Sequence, residues 1–136
     1  MIVIGDGIPS RGGIEANAHA LARYAALCQE AGLVPVVEPE VLMDGTHTIE
    51  RHYEVTEQTL RSVFNSLADH RVVLEGILLK PNMVLSGKEC SQQASVKEVA
   101  EATFRCLKPV VPSAGPGVVF PSGVQTDTPR RGRRNT

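Results

Sequence analysis

Apolar residues along the chain alternate between short dense runs and longer stretches with helical spacing. Ile2-Val3-Ile4 is a β-branched run that stops at Gly5-Asp6-Gly7, which predicts a short strand and a turn. Ile14, Ala18, Leu21, Ala22, Ala25 and Cys28 then share one helical stripe, and Gly32 stands where that helix should end. Leu33-Val34-Pro35-Val36-Val37 is continuously apolar, as expected of a strand buried on both faces, although Pro35 cannot donate to a sheet. A second helix is the clearest element: Ile49, Tyr53, Thr56, Leu60, Val63 and Leu67 recur at steps of three and four. Val72-Val73-Leu74 and Ile77-Leu78-Leu79 predict the next strand region, stopped by Pro81-Asn82. Ser95 and Glu98 have the spacing of a capping box and open a third helix, with Val96, Val99, Ala100, Thr103 and Leu107 as its apolar stripe and Glu101–Arg105 as an ion pair outside it. Pro109 and Pro112 end this helix, and Val118-Val119-Phe120 predicts a last strand.

The predicted order is β-α-β-α-β-α-β, with dense rather than alternating strands, which argues for parallel βαβ units. An open doubly wound sheet and part of a (β/α)₈ barrel both fit that order. Spacing favours the barrel. Glu38, Lys80 and Ser122 each close an apolar run and are separated by 42 residues in both steps, and barrels build their sites from the C-terminal ends of successive strands. A whole barrel takes about 200 residues or more, so these 136 residues are expected to supply roughly half of one.

Composition changes this picture little. With 42% hydrophobic and 21% charged residues, the chain reads as one soluble domain. The net charge of −1 offers no general attraction for nucleic acid or an acidic membrane. Arg130, Arg131, Arg133 and Arg134 give residues 126–136 a charge of +3 and leave −4 on the rest. That run lacks large apolar side chains, so it reads as a basic disordered tail behind a domain at 1–125, without an aromatic to stack on a base. Cys28, Cys90 and Cys106 form no CxxC pair, and Cys28 and Cys106 are expected to be small buried hydrophobes in a reducing compartment. No apolar run is long enough to span a bilayer, and the first residues have no signal-peptide pattern, so a cytoplasmic location is expected. The histidines lack metal spacing: His47 and His52 differ by five, while His19 and His70 stand alone, and solvated or capping roles are expected for all four.

Three places could carry chemistry. Lys80 leaves an apolar strand end just before a proline; it is either a lysine reaching to solvent or an amine nucleophile. A free lysine titrates near about 10.4, so desolvation or a nearby cation would have to lower that value before the amine could attack a carbonyl. Glu38 and Glu40 flank Pro39 at the previous strand end; two residues apart in an extended chain, they point the same way and suit proton transfer or a solvated rim. Ser122-Gly123 is either an ordinary turn or a place where backbone N–H groups meet a phosphate.

The segments Glu15-Ala16-Asn17-Ala18 to Ala25, Gly32-Leu33-Val34-Pro35-Val36-Val37-Glu38-Pro39-Glu40 and Leu74-Glu75-Gly76-Ile77-Leu78-Leu79-Lys80-Pro81-Asn82-Met83-Val84 closely resemble the class I, Schiff-base-forming fructose-bisphosphate aldolases. The likeness runs from about Ile4 to Gln125, and Leu79-Lys80-Pro81-Asn82-Met83 is its most specific stretch. The resemblance implies a (β/α)₈ barrel that reversibly cleaves fructose 1,6-bisphosphate in glycolysis, without metal or cofactor. Lys80 would form the imine, Glu38 would be the acid/base, Glu40 a hydrogen-bonding neighbour of the lysine, and Ser122 and Gly123 would hold the C1 phosphate. The implied partner is a sugar phosphate, and family members are commonly homotetramers. Pro121 and Val124 depart from the usual Phe-Leu-Ser-Gly-Gly-Gln of the phosphate loop. By analogy the chain holds strands four to seven; an aspartate and a second lysine of the site lie on earlier strands, and an arginine and a tyrosine further on. These 136 residues alone are therefore expected to turn over little and to self-associate, the alternative reading being a non-catalytic binding or assembly module.

Overall fold

Three helices and three short parallel strands alternate along residues 1–120, the part of the chain described by this computed structural model. Helix α1 (Arg11–Glu30) begins where Ser10 Oγ accepts the Gly13 amide at 3.0 Å. It ends at Gly32, whose φ of +74° suits a residue without Cβ. There the Gly32 and Leu33 amides donate to the carbonyls of Gln29 and Cys28, satisfying the last turn. Ala18, Ala22 and Ala25 are fully buried, and their small side chains bring α1 close against α2 (Ile49–Asp69). Helix α3 (Val96–Leu107) opens with the predicted capping box: Ser95 Oγ accepts the Glu98 amide at 3.2 Å, and the Ser95 amide donates to Glu98 Oε2 at 2.6 Å.

The strands are β1 (Val36–Val37), β2 (Leu78–Leu79) and β3 (Gly117–Val118), side by side in chain order and all parallel. Val36 pairs with Leu78 and Val37 with Leu79; Leu78 pairs with Gly117 and Leu79 with Val118. Helices α2 and α3 fill the two crossovers, as parallel pairing requires. Val37 and Leu79 point into a core shared with Ala18, Ala22, Leu60, Val63 and Leu67. The opposite face of the sheet, with Val36 41% and Leu78 36% exposed, carries no helix among the described residues. No helix among the described residues is long and apolar enough to cross a membrane.

Several expectations are corrected here. Ile2-Val3-Ile4 forms a single parallel bridge, Ile2 to Val41, instead of a strand. In the run from Leu33 to Val37 only the last two residues are strand; Leu33 and Val34 are exposed, and burial alternates from Val36 onward instead of covering both faces. Leu74–Gly76 is a 3₁₀ turn separating Val72 from β2, held to α1 by Gln29, whose side-chain amide pairs with both the N–H and the C=O of Val73. On α3 the buried stripe is Val99, Ala102, Thr103 and Cys106, while Val96 and Ala100 face solvent. Glu101 lies 3.8 Å from Lys97, and Arg105 sits over the Tyr53 ring. Cys106 is the buried hydrophobe expected, and burial pushes its thiol up to about 11. The expected tail at 126–136 lies outside the described residues.

Beyond β1 and β2 the two following loops run together. The amides of Gly87, Lys88 and Glu89 donate to the carbonyls of His47, Met43 and Gly45 at 2.8, 2.8 and 2.9 Å. Gly87 must be glycine for this approach, since a Cβ there would run into the Gly45 carbonyl. We therefore expect Gly87→Ala to lower stability by about 1–3 kcal/mol through overpacking. An unchanged urea midpoint would show that the loops separate without cost.

Candidate active site at the strand ends

Extended chain alternates its side chains between faces, so residues two apart share one. Counting from the pairs Val36–Leu78 and Val37–Leu79, Glu38, Glu40 and Lys80 emerge on the helix-free face at the C-terminal edge of the sheet. Glu38 and Lys80 are next to each other across the β1–β2 pair. Lys80 Nζ and Glu38 Oε1 form an ion pair at 3.0 Å, with both side chains partly exposed. Glu40 lines the same recess, together with Met43, Pro81, Asn82 and Met83. Ser122 and Gly123, and the departures at Pro121 and Val124, lie outside the described residues.

The β1–β2 ladder stops at Lys80, whose own amide still donates to Val37 O at 2.8 Å, because the next donor on the β1 side would be Pro39, which has no N–H. Side chains take its place. On one side of the extended chain, the Glu40 carbonyl and the Leu42 amide bond the backbone of Ile2, both at 2.8 Å. On the other side, the Val41 amide donates to Asn82 Oδ1 at 3.1 Å, and Asn82 Nδ2 donates to Thr56 Oγ1 of α2 at 3.1 Å. His52, also of α2, reaches the same segment. The Leu85 amide donates to His52 Nδ1 at 3.0 Å, so Nδ1 is unprotonated and Nε2–H donates to the Val41 carbonyl at 3.1 Å. Thr103 of α3 accepts the Val84 amide at 2.9 Å. The segment after Lys80 is thus held at Asn82, Val84 and Leu85.

His52 and His47 correct the expectation of solvated or capping histidines. His52 is fully buried and His47 is 8% exposed, with the two rings stacked 5.1 Å apart. His70 does cap: it closes α2 and places Nδ1 2.8 Å from the Ser66 carbonyl. Sequence reading missed His52 and gave Asn82 no role. One signal was present for His52, which lies three and four residues before Val55 and Thr56 on the buried face of α2.

Consecutive parallel strands with helices in their crossovers, and polar residues gathered at the strands' C-terminal edge, define part of an α/β barrel. The family described as glycolytic fructose-bisphosphate aldolase class-I matches residues 1–131, beyond the Gln125 limit of the sequence resemblance. The chain belongs to that family. It is 67% identical over 127 residues to the probable fructose-bisphosphate aldolase class 1 of Xanthomonas campestris pv. campestris, a match covering 93% of this chain and 38% of that protein. With the cytosolic fructose-bisphosphate aldolase 4 of Arabidopsis thaliana the identity is 49%, over 93% of this chain and 32% of the relative. Among solved structures, the fructose-bisphosphate aldolase of Plasmodium falciparum, crystallised in a ternary complex with TRAP and a small-molecule inhibitor, superposes with a TM-score of 0.87 at 48% identity. That superposition covers 91% of this chain and 36% of the other. The chain thus spans about a third of the length of these relatives.

Burial depresses His52 from the ordinary 6.5 to about 4, against the opposing pull of its bond to the Val41 carbonyl. His47 is lowered too, by burial and then by Arg51. A histidine depressed in the folded state is protonated first in the unfolded chain. Its stabilising contribution is therefore complete above about pH 6.5 and is lost as pH falls towards about 4. The loss attributable to His52 is roughly 3 kcal/mol. Urea unfolding between pH 7 and pH 4.5 should show this slope, and His52→Gln should flatten it; equal slopes in the two proteins would rule His52 out as its source.

Proposed function

We propose that the protein is a Schiff-base-forming fructose-bisphosphate aldolase, acting in glycolysis in the cytoplasm, with Lys80 as its nucleophile. The observation that carries this reading is the 3.0 Å contact between Lys80 Nζ and Glu38 Oε1 on a strand-end edge, in a chain of the aldolase family. The pairing suits both directions of proton transfer. A protonated lysine cannot attack, and Glu38 is an acceptor in direct contact with the proton it must lose. Once Nζ has added to the C2 carbonyl of the sugar phosphate, the same carboxyl returns a proton to the hydroxyl that leaves as water, giving the iminium. With the C4 hydroxyl deprotonated, the C3–C4 electron pair moves into the iminium as that bond breaks, and glyceraldehyde 3-phosphate departs. Protonation of the enamine at C3 and hydrolysis return dihydroxyacetone phosphate and free Lys80. Glu40, in the same recess, hydrogen-bonds the lysine during this cycle, and Ser122 and Gly123 hold the C1 phosphate. No metal or cofactor enters the scheme.

The helix-free sheet face, apolar at Val36 and Leu78, favours a second element of the proposal. In the complete barrel other strands cover it, and the family's homo-oligomers form from complete barrels. With this face uncovered among the described residues, the 136-residue chain self-associates. Light scattering at micromolar concentration should give particles larger than 14.6 kDa; a monodisperse monomer would refute this.

Imine formation is tested by borohydride reduction in the presence of dihydroxyacetone phosphate. Mass spectrometry should locate the reduced adduct on Lys80, and Lys80→Met should abolish it. Glu38→Gln should slow trapping by about 10²-fold or more, the usual contribution of general acid–base catalysis. An adduct confined to another lysine, or none in the unaltered protein, would refute the assignment of Lys80.

A further inference from the structure

Past Lys80 the β1–β2 ladder is interrupted, since Pro39 has no N–H to offer it, yet Val41 still presents a buried N–H and C=O towards the neighbouring loop. Asn82 takes the N–H at 3.1 Å and His52 takes the C=O at 3.1 Å. From α2, His52 bonds both loops: its other nitrogen accepts the Leu85 amide at 3.0 Å, so one rigid ring ties the residue that follows Glu40 to a residue five beyond Lys80.

We propose that His52 is a positioning residue for the Lys80–Glu38 pair, tying together with a side chain two loops whose sheet ladder is interrupted at Pro39. The inference rests on the reading of Lys80 as the imine-forming residue and adds to it a group that never touches substrate. The observations select a histidine in this protein. The bridge needs an acceptor for the Leu85 N–H and a donor for the Val41 C=O on a short rigid frame, and a neutral imidazole carries one of each. The ring is fully buried, and His47 stacks parallel to it at an interplanar angle of 10°, so water has no access to compete for either bond. A buried carbonyl or amide left unpaired is costly. Losing the bridge would therefore shift the loops locally at Val41 and Leu85, between Asn82 and the backbone bonds of Gly87, Lys88 and Glu89, until solvent satisfies the two groups, and the strand ends bearing Glu38 and Lys80 would move with them.

Three substitutions separate the two bonds. His52→Asn keeps an acceptor at the place of Nδ1 for Leu85, His52→Gln keeps a donor at the place of Nε2 for Val41, and His52→Leu keeps neither. Trapping of dihydroxyacetone phosphate on Lys80 by borohydride is followed across ligand concentrations, with exchange of the Leu85 amide measured on the same proteins. We expect His52→Leu to lower the plateau trapping rate about tenfold, since misplacement of reacting groups acts on the bond-forming step. The half-saturating concentration should stay within about twofold, because no binding contact is removed. Asn and Gln should rescue part of the rate, and exchange at Leu85 should accelerate in the Gln and Leu variants but not in the Asn variant. Should the Leu variant fail to fold, the Asn and Gln variants, each lacking one bond, carry the test by the same two readouts. Trapping at the unaltered rate in every folded variant, with exchange accelerated, would overturn the positioning role while leaving the Lys80 assignment intact. Absence of a Lys80 adduct in the unaltered protein would overturn the assignment itself, and the positioning role with it.

Discussion

Register in the parallel pair β1–β2 is the constraint on which the rest of the site depends. Val37 and Leu79 are opposite each other and fully buried, so the residues that follow them, Glu38 and Lys80, leave the sheet side by side on its other face. A slip of one residue on either strand would turn a charged side chain towards the alanine-lined surface of α1 and the leucines of α2. Burying an unpaired charge there would cost far more than the strand bonds contribute. The apolar core thus sets the 3.0 Å lysine–glutamate contact without touching either charge.

That contact by itself contributes little to stability. Both side chains are partly exposed, and a solvated ion pair is worth at most about 1 kcal/mol. Its interest is chemical, a carboxylate within proton-transfer distance of an amine. What keeps the geometry narrow lies around it. Helix α2 supplies Thr56 and His52, and helix α3 supplies Thr103, each bonded to the segment that follows Lys80 or to the asparagine within it. The helices cover one face of the sheet and also anchor the loops at its edge. In that second task they act through polar residues on their buried faces, each with its hydrogen bonds satisfied.

Much of the scaffold was legible in the sequence. Helical periodicity is a property of a single segment, so α1, α2 and α3 could be read, with the end of α1 at Gly32 and the Ser95–Glu98 capping box of α3. The choice of which apolar row α3 buries was not legible. Val96 and Ala100 are as apolar as Ala102 and Cys106, and only the position of the neighbouring Tyr53 and Val84 decides between the two rows. Strand lengths were overestimated for a similar reason: Leu33 and Val34 are apolar, but no neighbouring strand reaches them.

The strand-end site divides in the same way. Sequence alone determined that polar residues close successive apolar runs at equal spacing, and that Leu79-Lys80-Pro81-Asn82-Met83 resembles one family, because both are properties of order along the chain. It left the role of His52 unread, because that residue is 11 residues from Val41 and 33 from Leu85. A histidine in a polar-looking stretch reads as solvated until packing removes the water around it. Only the tertiary structure decided that its two nitrogens meet one carbonyl and one amide from different loops, since hydrogen-bond partners distant in sequence are chosen by the way the helices pack on the sheet.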